Sequence, residues 1–91
     1  MPNVRMYSTQ TCPYCLMAER LLTKKGVQIH KILVDRHPEQ MKKMIEITGR
    51  RTVPQIFIDD QHIGGYDDLA ALDAQGGLDP LLQTPVKNSD E

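Results

Sequence analysis

At 91 residues the chain is long enough for one domain built on one small core, and too short for two. Eleven basic residues against twelve acidic ones, a formal charge of −1, leave no basic footprint for a polyanion, so nucleic acid is not an expected partner. Composition is ordinary for a globular protein, residues 1–5 open no apolar signal region, and no apolar run approaches the roughly 20 residues of a membrane span. A soluble cytosolic chain with no membrane partner is expected.

Residues 4–8 alternate apolar and polar side chains and run into Ser8-Thr9-Gln10-Thr11, which reads as a first strand delivering the chain to a turn. Cys12-Pro13-Tyr14-Cys15 follows and holds both cysteines of the sequence. Two thiols three residues apart at a helix start lie on one turn, so their sulfurs reach disulfide distance without moving the backbone. Cys12 would sit at the helix boundary, where unpaired N–H groups and the positive end of the dipole favour a thiolate. In C-x-x-C motifs this lowers the thiol pKa from about 8.5 to roughly 3.5–7.5, and the thiolate is the species that attacks. Pro13 suits the first helical position, and Tyr14 points outward as a candidate wall of the site.

The same helix, expected over residues 13–25 with Gly26 as its stop, separates the roles of the two thiols. Cys15, Ala18 and Leu22 fall on an apolar stripe, while Glu19, Arg20 and Lys24 face water. Cys15 is therefore expected to be half buried, a resolving thiol beneath the exposed nucleophile Cys12. Spacing alone leaves two other readings open. One is half of a zinc site, although none of His30, His37 and His62 stands at ligand spacing from another; the other is a pair of unrelated core cysteines. In a cytosolic chain, a lone pair at this spacing points to redox chemistry rather than a structural staple.

Residues 27–34, rich in Val and Ile, read as a second strand; a helical crossover makes it parallel to the first. Pro38 opens a second helix that Gly49 ends, with Met41, Met44, Ile45 and Thr48 as a core stripe rather than a metal site. After Thr52-Val53-Pro54, residues 55–58 form a strand that turns at Asp59-Asp60-Gln61 into His62-Ile63 as a hairpin. Gly64-Gly65 breaks that strand, Asp67 or Asp68 caps a third helix, and Gly76-Gly77 closes it. Residues 78–82 carry enough leucine for a last packed turn, and residues 84–91 read as a polar, frayed tail on a single domain over 1–83. The sum is a thioredoxin-like α/β fold: a four-stranded mixed sheet flanked by three helices, in βαβ-α-ββα order.

Cys12-Pro13-Tyr14-Cys15, then Arg51-Thr52-Val53-Pro54-Gln55-Ile56-Phe57-Ile58, then Gly64-Gly65-Tyr66-Asp67-Asp68-Leu69 together resemble a dithiol glutaredoxin, over nearly the whole chain. The resemblance implies a glutathione-dependent thiol–disulfide oxidoreductase. It would be a monomer with no permanently bound cofactor, with glutathione as co-substrate and glutathionylated or disulfide-containing proteins as partners. It also implies a redox-active Cys12–Cys15 disulfide and a cis Val53–Pro54 bond, where residue statistics alone favour trans. Tyr14, Arg51, Thr52, Val53, Pro54, Asp67 and Asp68 then become the implied glutathione contacts. Val53 would offer its backbone to the tripeptide, as in strand addition. For Asp67 and Asp68 plain helix capping stays open beside contact with the γ-glutamyl ammonium, and for Arg51 a solvated surface role stays open.

Two positions depart from the family pattern. Thr9 stands where many dithiol glutaredoxins carry a lysine, so thiolate stabilisation must come from Arg51, Lys43 or the helix terminus. Tyr66 stands where relatives are often small, and would either narrow the γ-glutamyl pocket or stack on substrate. An iron–sulfur carrier, as a glutathione-bridged dimer, is the alternative from a different class.

Overall fold

The computed structural model describes residues 3–83; the expected tail, residues 84–91, lies outside them. Strand β1 (Val4–Ser8) leads into α1 (Pro13–Lys24), which crosses over to β2 (Ile29–Leu33). After α2 (Pro38–Thr48) come the hairpin strands β3 (Gln55–Ile58) and β4 (Gln61–Gly64), then α3 (Tyr66–Ala74) and α4 (Leu78–Gln83). The sheet runs β2-β1-β3-β4. Because α1 returns the chain in the same sense, β2 lies parallel to β1, with Val4 opposite Ile29 and Ser8 opposite Leu33. Strand β3 is antiparallel to β1, setting Tyr7 opposite Gln55, and β4 is antiparallel to β3. This is the mixed sheet and thioredoxin-like fold that the sequence pattern calls for.

Alternation along the two central strands builds a core on each face. Val4, Met6, Ile56 and Ile58 pack with Cys15, Ala18 and Leu22 of α1, Leu69 of α3, and Leu78 and Leu82 of α4. On the opposite face Tyr7 and Phe57, their rings edge-on at 6.1 Å, meet Val34 and, from α2, Met44. Val53 packs against both clusters. The loop that carries it is thus seated where the two cores meet.

Several boundaries differ from the sequence reading, each for a local reason. Lys25 is the cap of α1 rather than its last residue, and Gly26, at φ +85°, turns the chain. The Val27 N–H donates to the Leu22 carbonyl at 3.4 Å, so it closes the helix instead of pairing in the sheet, and β2 begins only at Ile29. Of the α2 stripe, Met44 alone is fully buried; Met41, Ile45 and Thr48 are half-buried, because the second core is small. Helix α3 starts at Tyr66 with Gly65 as its cap residue, ahead of the expected Asp67 or Asp68. Asp68 still caps, from inside the first turn, by accepting the Gly65 N–H at 2.9 Å; glycine has no side chain to reciprocate. The leucines after Gly77 form a fourth short helix, α4, with Leu78 and Leu82 buried.

Candidate active site

Cys12 ends the link from β1 in extended conformation, at φ −115° and ψ 107°, and is the N-cap of α1. Its Sγ accepts the Cys15 N–H at 3.1 Å, so sulfur does what a Ser or Asp oxygen does at most helix starts. Pro13 occupies the first turn, where its missing N–H costs nothing, and that turn carries no acidic residue to oppose an anion. Cys12 and Cys15 are paired as a disulfide with their Cα atoms 5.2 Å apart. Cys15 is buried deeper than its stripe suggested, at 3% exposure within the α1 face of the core, whereas Cys12 is only partly buried. Any molecule arriving from solvent meets the Cys12 sulfur first.

The 51–54 loop passes beside that sulfur. The Val53 carbonyl lies 3.8 Å from Cys12 Sγ, and the Val53–Pro54 bond is cis. From Val53 a cavity of about 300 Å³ runs away from the cysteines between Tyr14 on one side and the start of α3 on the other. Thr52, Val53, Pro54, Tyr66, Asp67 and Asp68 line it together with Tyr14. The rings of Tyr14 and Tyr66 stand 6.2 Å apart and tilted by 31°, so Tyr66 forms a wall facing Tyr14. A second cavity, of about 660 Å³, opens on the other side of the cysteines and takes in Thr9, Leu16, Glu19 and Lys31.

Of the two cysteines and the implied glutathione contacts, the fold brings all but one to the cysteines or the smaller cavity. The exception is Arg51, which is exposed and does not line it; its neighbour Arg50 does. Neither Arg51 nor Lys43, on the exposed side of α2, reaches either cavity beside the cysteines, and the backbone of the helix terminus is what touches the Cys12 sulfur. Arg50 Nη1 donates to Asp68 Oδ2 at 2.9 Å, and this guanidinium, with the Gly65 N–H second, holds the Asp68 carboxyl below its usual range. Gly64 stands at φ +118°, and a Cβ there would run into the Asp68 carboxylate, so this turn requires glycine. Asp67, exposed at the same helix start, has no side-chain partner among the described residues.

Sequence reasoning also missed Gln55. Buried at 1% exposure, it lines the cavity floor and bonds to Thr52 and His62. Burial, then the nearby Arg50 charge, pushes the His62 imidazole below its ordinary pKa. The one signal for Gln55 was a polar residue opening an otherwise apolar strand.

The family model described as Glutaredoxin matches residues 4–63, from the start of β1 into β4. The chain belongs to the glutaredoxin family. It is 57% identical over 83 residues to Glutaredoxin 3 of Escherichia coli K12, an alignment that spans 91% of this chain and all of that protein. Among solved structures it is similar to the glutaredoxin of Brucella melitensis, at 46% identity and a TM-score of 0.81, covering 91% of this chain and 90% of that one. It is also similar to a buckwheat glutaredoxin solved as its complex with glutathione, at 30% identity and a TM-score of 0.83, covering 89% and 76%. As a glutaredoxin it is a thiol–disulfide oxidoreductase, and Cys12–Cys15 is its redox-active pair.

Proposed function

We propose that this glutaredoxin draws its electrons from glutathione and reduces protein–glutathione mixed disulfides and protein disulfides. The observation that carries this reading is the 300 Å³ groove, which begins one residue from the Cys12 sulfur and ends on a helix N-terminus flanked by acids. Glutathione has the matching chemistry end to end: a cysteine to lie at Cys12, peptide groups to pair with Val53, and a γ-glutamyl carboxylate and ammonium. The carboxylate suits the N–H groups at the start of α3, and the ammonium suits Asp67, the acid left unpaired in the groove. The likeness to a glutaredoxin that binds glutathione supports the same assignment.

In the first half-reaction the Cys12 thiolate attacks the glutathione sulfur of the mixed disulfide. The Cys12–glutathione bond forms, the old S–S bond breaks, and the protein thiolate leaves and takes a proton. A second glutathione thiolate then attacks the bound glutathione sulfur, releasing oxidised glutathione and restoring the Cys12 thiolate. With a protein disulfide, Cys12 forms the mixed disulfide with the protein and Cys15 attacks Cys12, closing Cys12–Cys15; two glutathiones reopen it. No prosthetic group enters this scheme, and a monomer in a reducing, cytosolic setting suffices.

Cys12→Ser is expected to abolish glutathione-dependent reduction of a glutathionylated peptide, lowering turnover by at least about a hundredfold, since the nucleophile itself is gone. Cys15→Ser is expected to keep most of that activity and to lose reduction of protein disulfides. Turnover coupled to glutathione reductase measures both; equal loss in the two variants would contradict the assigned roles.

A further inference from the structure

This inference rests on the glutathione reading above and concerns a residue that does not belong to the cysteine motif. Gln55 opens β3 with its side chain buried, and a buried amide is costly unless both its nitrogen and its oxygen find partners. Both do. Nε2 donates to the Thr52 carbonyl at 3.0 Å and lies 3.4 Å from Thr52 Oγ1, while Oε1 is 2.8 Å from His62 Nε2. Because the amide nitrogen is turned toward the Thr52 carbonyl, Oε1 is the acceptor, and His62 carries its proton on Nε2. His62 is itself fixed by stacking on Phe57, with centroids 5.0 Å apart and rings tilted by 30°. A chain of contacts thus runs from β4 through β3 into the 51–54 loop. That loop has no strand or helix pairing of its own, yet it has to present the groove wall beside Cys12.

We propose that Gln55 is a positioning residue for substrate binding: the His62–Gln55–Thr52 hydrogen-bond chain holds the 52–54 wall of the groove preformed for the glutathione backbone. It touches neither the sulfurs nor the reacting bond. Its removal is therefore a loss of preorganisation, read in KM, with the thiol chemistry left alone.

The test uses Gln55→Met, which keeps side-chain length and packing while removing all three contacts, and His62→Phe, which keeps a ring on Phe57 and removes only the outer link. His62 lies outside the groove, so it decides the question alone if Gln55→Met fails to fold. For a glutathionylated peptide, Gln55→Met is expected to raise KM about five- to tenfold, the worth of roughly one net hydrogen bond, and His62→Phe about two- to threefold. In both, kcat and the pH profile of Cys12 alkylation stay at wild-type values. Wild-type KM in the folded variants overturns the proposal. So does a rise in KM that comes with a shifted alkylation profile in proportion to lost thermal stability, since that is what a merely structural residue would give. Amide NMR shifts during titration with glutathione separate this from the reading beneath it. Shifts at Val53 with equal affinity in wild type and Gln55→Met overturn the role of Gln55 only, whereas no shifts in the wild type overturn both.

Discussion

At Asp68 two donors converge on one carboxylate, the Arg50 guanidinium and the Gly65 N–H, each at 2.9 Å. They lower its pKa, the guanidinium more than the N–H. A carboxyl whose folded pKa lies below its unfolded value near 4 adds stability that is present above that value and disappears as pH falls through the folded one. The side chain is 47% exposed, so solvent screens the ion pair, and most of the effect belongs to the helix cap. Asp68→Ala loses both partners and is expected to cost about 1 kcal/mol at pH 7. Asp68→Asn keeps an acceptor for Gly65 and is expected to cost about half of that. Urea unfolding at pH 7 and pH 3 checks this: the gap between wild type and Asn narrows at the lower pH if charge is what Asp68 contributes. At this scale the motifs were readable and the partners were not. Two consecutive arginines look alike in a sequence. What sets Arg50 toward Asp68 is a turn in which its N–H donates to Thr48 Oγ1 at 3.0 Å, a contact no periodicity reports. Gln55 was invisible for the same reason, since its partners are three and seven residues away and face inward only once β3 and β4 pair.

The elements were read best where a strong pattern met an unambiguous stop. Helix α1 shows its stripe of Cys15, Ala18 and Leu22 at the expected spacing and all three are buried, which is why the inner and outer thiols could be told apart before the fold was known. Helix α2 ends where its glycine demands: Gly49 takes φ +71° and its N–H closes on the Ile45 carbonyl at 2.8 Å. An added Cβ at Gly49 meets nothing within 4 Å, so Gly49→Ala isolates the cost of the left-handed backbone from any clash. That substitution is expected to lower unfolding free energy by about 1 kcal/mol, measured by chemical denaturation. An unchanged midpoint would mean that the helix ends in another way. Helix α3 was harder to bound. It buries Leu69 fully and otherwise packs through the partly buried Tyr66 and Leu72, while Ala71 and Ala74 are exposed, so its apolar face is narrow and its start is set by the Gly65–Asp68 contact.

For the molecule as a whole, the site depends on two cores that close on each other at Val53. The larger one needs its last element: Leu78 and Leu82 of α4 fill the face built by β1, β3, α1 and α3. Lys25 adds a tie, its Nζ 2.8 Å from both Asp73 and Asp79, and the two carboxylates, Asp73 first, raise its pKa. That tie is at the surface, and α4 is held chiefly by its leucines. Leu78 is wholly buried, so Leu78→Ala is expected to cost about 2–5 kcal/mol. Domains of this size hold about 5–15 kcal/mol in all and lose about 4–8 °C of Tm per kcal/mol, so a fall of at least about 10 °C is expected by calorimetry. Leu78 lines neither cavity beside the cysteines and is joined to Cys15 and Val53 only as a member of the same core. Turnover per folded molecule is then expected to hold at temperatures well below the new Tm and to fall only as the unfolded fraction grows. Loss of turnover in the fully folded variant would instead mean that the set of the groove, and not merely its survival, is governed from the far end of the larger core.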